Sequence, residues 1–352
     1  MKVIKIDKSQ WSQTLEKIRG AYRLFGPVKE KTFHNFTELS DGQSPDLAFQ
    51  NTRLSPKSLV FPQSEVMLNY SLDEADADHH VPKEAPKDYS PRAVIGIRPC
   101  DAKALALVKM NFDTDQYKDP YWLNLYNATT FVGLACDAPC GTCFCTTAGC
   151  GPFSEEGLDV LLVDQNDHYV AKALTDKGTQ LLQKTGSKET TAAAIETAKI
   201  AAEAKITAKI ETDNLRGADM MALYKAGLWE DISFACLNCG TCTFSCPTCW
   251  CFDIQDEVYR KKGVRMRNWD SCMFPIFSVH TTGHNPRDSK LSRVRQRFMH
   301  KLKYFVDKYD KGIMCVGCGR CVRQCPVNID IRKVSALMNQ LGSEARCAVK
   351  GS

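Results

Sequence analysis

The sequence predicts an α+β multidomain protein: an α/β domain over residues 1–171, a helical linker over 172–230 and a cysteine-rich, alpha-helical domain over 231–352. Three observations predict it. Short apolar runs flank a helical stretch in the first part. A segment rich in Ala, Lys and Glu follows. Twelve of the 18 cysteines then lie after residue 230.

Residues 9–25 read as an amphipathic helix with Leu15, Ile18, Tyr22 and Phe25 on one stripe. Residues 37–58 and 73–91 are rich in turn-forming residues and read as surface loops, with His79 and His80 solvated in the second. The runs AVIGI (93–97), FVGLA (131–135) and LDVLLV (158–163) suit buried strands. Between the first two lies DAKALALVKM, a helix that Asp101 can N-cap. Strands spaced by a helix argue for parallel pairing. The piece TAAAIETAKIAAEAKITAKIET has high helix propensity and reads as a connecting helix or helical hairpin.

With 43% apolar and 25% charged residues, the 352-residue chain can build a globular core. No run approaches the roughly 18 apolar residues of a membrane helix. The N-terminus, MKVIKIDKSQWSQTLEKIRG, has no signal-peptide apolar region, so a cytoplasmic location is expected. In that reducing setting, 18 cysteines point to metal or cluster ligation rather than disulfides. Charge is uneven: residues 231–352 hold 20 Lys+Arg against 10 Asp+Glu, while residues 1–230 hold 26 against 31. No nucleic-acid motif accompanies the basic part.

Two segments of the basic part share one pattern: Cys236-x2-Cys239-x2-Cys242-x3-Cys246-Pro247 and Cys315-x2-Cys318-x2-Cys321-x3-Cys325-Pro326. Three cysteines at steps of three wrap three corners of a cubane, and the fourth, before proline, serves the other cluster. Zinc has no use for the third step or for the Cys-Pro. The pattern therefore predicts two [4Fe-4S] clusters, one on Cys236, Cys239, Cys242 and Cys325, the other on Cys315, Cys318, Cys321 and Cys246. A surrounding positive charge stabilises such an anion. The repeats are 68 residues apart, with helical stretches expected at Ile254–Lys261 and Ser289–Asp307. That suits an alpha-helical ferredoxin-type domain. Cys249, Cys251 and Cys272 lie in this insert as buried free thiols or as candidate further ligands.

Further cysteines follow the predicted strands. Cys100 begins the helix after the first, and Cys136 follows the second, with Cys143 and Cys145 in the loop beyond. Parallel strands place their C-terminal ends on one edge, and a helix N-terminus favours an anion. A third iron–sulfur cluster is expected on Cys100, Cys136, Cys143 and Cys145, with Cys140 and Cys150 as alternates or bystanders. A redox dithiol or structural zinc are the competing readings.

The segments GIRPCDAKAL, TCFCTTAGCGP, CLNCGTCTFSCPTCWCFDIQDE, WDSCMF and CVGCGRCVRQCPVNIDI resemble the family that unites the A component of anaerobic sulfite reductase with the sulfhydrogenase beta subunit. The similarity runs over most of residues 93–335. The resemblance implies a hetero-oligomeric electron relay between a flavin subunit oxidising NAD(P)H and a catalytic subunit of hydrogenase, sulfite reductase or heterodisulfide-reductase type. It also implies Cys100, Cys136, Cys143 and Cys145 as ligands, and a functional role for Cys249, Cys251 and Cys272. The residues themselves show no GxGxxG, no Walker motif and no acid–base constellation. A catalytic iron–sulfur reductase acting on a sulfur compound or disulfide is the alternative, although the chain has no adjacent Cys-Cys.

Overall fold

The computed structural model describes residues 2–191 and 193–350. In chain order its strands are β1 (Val3–Asp7), β2 (Arg23–Glu30), β3 (Phe33–Glu38), β4 (Ser64–Ser71), β5 (Lys83–Glu84), β6 (Arg92–Ile97), β7 (Thr129–Leu134), β8 (Val160–Asp164), β9 (His168–Ala173), β10 (Phe252–Tyr259) and β11 (Lys262–Trp269). Seven form one sheet in the order β1-β9-β8-β7-β6-β2-β3. The pairs β2–β6, β6–β7 and β7–β8 are parallel, and the outer pairs are antiparallel.

Every residue of β6 and β7 is buried, as expected of central strands covered on both faces. Helix Pro99–Phe112 supplies Leu105 and Val108 to one face, against Val94, Phe131 and Leu161. Helices Trp11–Arg19 and Asp176–Thr185 cover the other, placing Leu15, Ile18, Leu181 and Leu182 against Ile95, Val132 and Leu162. The predicted strands thus sit at the centre of the sheet, with their C-terminal ends leading to Cys100 and Cys136.

Several expectations need correction. The first helix stops at Arg19, and Tyr22 and Phe25 lie outside it. Phe25 belongs to β2, whose Pro27 could not continue a helix and which instead pairs with β3 and β6. Asp101 does not cap its helix: Arg98 stands at the cap, Pro99 is the first helical residue, and Asp101 lies in the first turn, bound to Arg320. The Ala-rich piece is helical over Ala193–Ala204, while residues 205–219 carry turns but no helix.

The largest correction concerns the insert. Residues 254–261 are not helical. Phe252–Trp269 is a β-hairpin, and β11 pairs with β4 from the N-terminal part. The resulting sheet, β10-β11-β4-β5, crosses the expected division between residues 1–171 and 231–352. Its anchor is Arg267, 1% exposed, which donates to Glu65 Oε2 (2.7 Å) and pairs with Asp119. A strand whose partner lies about 200 residues away carries no local sign of that pairing. The cysteine-rich part is therefore not all-helical. Its longer helices are Lys290–Met299, continued through residues 300–309, and Ile331–Lys350, with one short helix in each motif at Thr241–Phe244 and Arg320–Gln324. Among the described residues, no helix is long and apolar enough to cross a membrane.

Candidate iron–sulfur sites

The first motif turns through Asn238 and Gly240, both at positive φ. A Cβ on Gly240 would meet the Phe274 ring at 2.9 Å, so the bend also needs glycine for space. The turn aims Cys236, Cys239 and Cys242 into one cavity, and Cys325 of the second motif reaches the same cavity. Met273 and Phe298 line it, and Arg297 enters from helix Lys290–Met299. Burial pushes the Cys242 thiol up to about 11.

Around the second motif, Cys246 is an electrostatic neighbour of each of Cys315, Cys318 and Cys321. Burial pushes Cys315 up to about 12, with Cys321 and Cys246 adding to the shift. The crossed arrangement, with each fourth cysteine at the other motif's site, is what the Cys-Pro spacing implies.

The N-terminal cysteines meet at the sheet edge. Cys100, Cys136, Cys140, Cys143 and Cys145 line a second cavity, together with Cys318 of the second motif. Cys140 is thus on the wall, whereas Cys150 is not and turns toward Gly151 O. Burial raises Cys136 to about 11. Cys143 falls to about 7 because the neighbouring Cys145 thiol donates a hydrogen bond to it.

The second and third sites adjoin through backbone. Gly317 and Gly319 have positive φ, and a Cβ on either would meet Cys145 Cα at 2.5 Å or Thr142 O at 2.4 Å. Phe144 N–H donates to Gly317 O (2.9 Å), and Asn51 Nδ2 donates to Cys318 O (3.2 Å). These glycines serve close approach between the two cysteine loops as well as the cluster bend.

Three cations that no motif announces sit among these thiols. Arg297, Lys301 and Lys57 are 4%, 3% and 5% exposed. Among the described residues, none of the three forms an ion pair with a carboxylate. Lys57 Nζ donates to Cys249 O (2.8 Å) and Cys246 O (3.1 Å) and lies 4.1 Å from the Trp269 ring centre. Lys301 Nζ donates to Thr248 Oγ1 (2.8 Å). Arg297 hydrogen-bonds Cys321, while its Nε has no partner. Burial lowers Lys57 to about 8, partly offset by Cys249 and Cys246. For Arg297, burial is outweighed by Cys242, Cys321, Cys249 and Cys246, and the pKa rises. Lys301 rises for the same reason, through Cys246 and Cys249.

Cys249 lies in hydrogen-bond contact with Cys246, and Cys251 with Cys272. The Cys272 hydrogen bond is the main cause that lowers Cys251 to about 6. Among the described residues, no three His, Cys, Asp or Glu side chains close on a single metal ion. The cysteines of the two cavities stand around a volume instead, which suits a polynuclear centre better than zinc. Arg297 at the first cavity and Arg98 at the second, both buried and, among the described residues, without an ion-paired carboxylate, also fit an anionic group there.

Residues 235–329 match the family model of a 4Fe-4S dicluster domain. Over 342 residues the chain is 27% identical to sulfhydrogenase 2 subunit beta of Pyrococcus furiosus, covering 95% of this chain and 97% of that one. The chain is a homologue of that sulfhydrogenase subunit. No solved structure matches it. The dicluster match contains both ferredoxin repeats with the intervening hairpin, and the sulfhydrogenase alignment extends through the N-terminal cysteine cavity.

Sequence reasoning missed Lys57, Arg98, Lys301 and Arg320. Arg98 lines the second cavity and donates to Ala135 O (2.8 Å) and Gln50 O (3.0 Å). These contacts span tens to hundreds of residues, so no local pattern signals them.

Proposed function

We propose that this chain is the iron–sulfur relay subunit of a sulfhydrogenase-like complex. It passes single electrons between a flavin subunit oxidising NAD(P)H and a catalytic subunit of hydrogenase, sulfite reductase or heterodisulfide-reductase type. Cys236, Cys239, Cys242 and Cys325 hold one [4Fe-4S] cluster, and Cys315, Cys318, Cys321 and Cys246 hold a second. A third is held by Cys100, Cys136, Cys143 and Cys145, with Cys140 on the same wall. Such clusters supply one-electron chemistry, with no bond making required of the protein.

The observation that carries this reading is the trio of buried cations. Burying an ammonium or guanidinium without a counter-charge costs several kcal/mol per ion. Arg297, Lys301 and Lys57 have cysteines as their nearby anionic partners, and thiolate-ligated clusters supply lasting negative charge at that place. The cations in turn tune the potential and hold the cysteine loops. Arg297 reaches from the first cavity to Cys321, and Cys318 reaches into the second cavity. The second motif thus neighbours both cavities, the adjacency a relay needs. The chain has no dinucleotide fingerprint, so reducing equivalents come from a partner. The relative's designation as a subunit supports a hetero-oligomer.

Iron and acid-labile sulfide per chain on anaerobically purified protein test the reading, with EPR before and after dithionite. About twelve irons are expected for three cubanes. About eight would remove the third cluster, and zinc in place of iron would sink the relay.

A further inference from the structure

Cys251 and Cys272 line neither cysteine cavity. Cys251 immediately precedes β10, and Cys272 lies three residues beyond β11. The hairpin ladder closes on the Phe252–Trp269 pair, and Asp270 N–H then donates to Cys251 O (3.0 Å). The two cysteines are thereby fixed across the open end of one hairpin. The Cys272 thiol donates to the Cys251 sulfur, and the Cys272 backbone N–H points at the same atom. In the first cavity, by contrast, the Cys239 thiol bonds the Thr241 hydroxyl.

The pair is asymmetric. Cys251 is partly exposed, while Cys272 is buried. Lys301 and Lys57 both favour negative charge on Cys251. A partly exposed thiol in contact with a buried one is the arrangement of an attacking and a resolving cysteine.

We propose that Cys251 and Cys272 form a redox-active dithiol that reduces a small organic disulfide. The Cys251 thiolate attacks one sulfur of RS–SR. The new Cys251–SR bond forms as the substrate bond breaks and RS⁻ leaves. Cys272 gives up its proton, which leaves on one of the product thiols. Its thiolate then attacks the Cys251 sulfur and expels the second RS⁻. One thiolate, one thiol and one disulfide become one protein disulfide, one RSH and one RS⁻, with two electrons moved from protein sulfur to substrate sulfur. Thiols in hydrogen-bond contact across one hairpin are the neighbours this bond would join.

The test uses the cluster-containing protein, kept anaerobic and equilibrated in buffers of set reduced-to-oxidised glutathione ratio. Free thiols are then alkylated and the peptides analysed by mass spectrometry. A Cys251–Cys272 disulfide peptide is expected to rise with oxidised glutathione and vanish when the ratio is reversed. Cys272→Ser is expected to trap a glutathione adduct on Cys251, and Cys251→Ser to trap none on Cys272. Iron per chain should equal wild type in both variants. Loss of iron in either one would make these residues ligands and overturn the dithiol. So would the absence of the disulfide at every ratio in wild type, a result that depends on no variant folding. The relay reading is read separately, from wild-type iron content and dithionite EPR.

Discussion

Arg320 and Asp101 face each other completely buried, the guanidinium meeting both carboxylate oxygens, with Arg320 Nη2 at 2.8 Å from Asp101 Oδ2. Arg320 precedes Cys321, and Asp101 follows Cys100. The pair therefore ties the second ferredoxin motif to the start of the helix that carries the N-terminal cysteine. Arg320 also donates to Thr52 O (3.1 Å) and Thr52 Oγ1 (2.9 Å), so four of the five guanidinium N–H donors are engaged.

Asp101→Ala leaves the Arg320 charge buried and is expected to cost about 3–5 kcal/mol. The midpoint of thermal unfolding should fall accordingly. Replacing both partners by apolar residues, Asp101→Leu with Arg320→Met, should recover much of that loss. A double variant no more stable than Asp101→Ala would show that the ion pair is not the joint.

Arg297→Gln removes a buried positive charge beside Cys242 and Cys321. Reduction adds negative charge to a cluster, so a nearby cation favours the reduced form. At an effective dielectric of about 20 and roughly 8 Å, one charge is worth about 2 kcal/mol, or about 90 mV for one electron. EPR-monitored titration should show the affected potentials moving negative by that order, with iron content retained. Unchanged potentials would remove Arg297 from the tuning of these sites.

Gly317→Ala should loosen the contact with the N-terminal cysteine loop. The new Cβ would lie 2.5 Å from Cys145 Cα, and φ is +66°. A loss of at least ~2 kcal/mol is expected from strain and clash together, with fewer irons per chain. Gly141→Ala is the control, because nothing lies within 4 Å of its Cβ position. Equal iron content and stability in the two variants would contradict the packing argument.

His300 carries a pH dependence. Burial, with Lys301 and Arg287 adding, lowers its pKa to about 4 from the ordinary 6.5. The folded state thus disfavours the charged ring, while the unfolded chain takes up a proton below pH 6.5. Stability is full above that pH and is lost as pH falls toward 4. The loss is about 2–3 kcal/mol after allowance for partial exposure. His300→Gln should lose less stability than wild type between pH 7 and 4, as read by denaturant unfolding at each pH. Parallel pH profiles for the two proteins would refute the assignment.

Much of the candidate site was legible because its cysteines lie in short, repeated spacings. CxxCxxCxxxCP states three corners and an exchange of the fourth, and the structure brings Cys325 to the first motif and Cys246 to the second. The central strands were legible because a strand buried on both faces must be a continuous apolar run. The hairpin at 252–269 was not. It is polar and largely exposed on β10, so its alternation carries little apolar signal. Its pairing with β4 closes a loop of about two hundred residues.

The sequence by itself determined the doubled cysteine motif of a 4Fe-4S dicluster domain and the α/β sheet whose edge presents Cys100 and Cys136. These follow from covalent spacing and from local apolar pattern. Only the tertiary structure decided that Lys57, Arg297 and Lys301 gather among the thiols, that Cys251 meets Cys272, and that Arg320 locks onto Asp101. Those are encounters between residues far apart in the chain, and a buried charge is placed by the anions that surround it in space rather than by its neighbours in sequence.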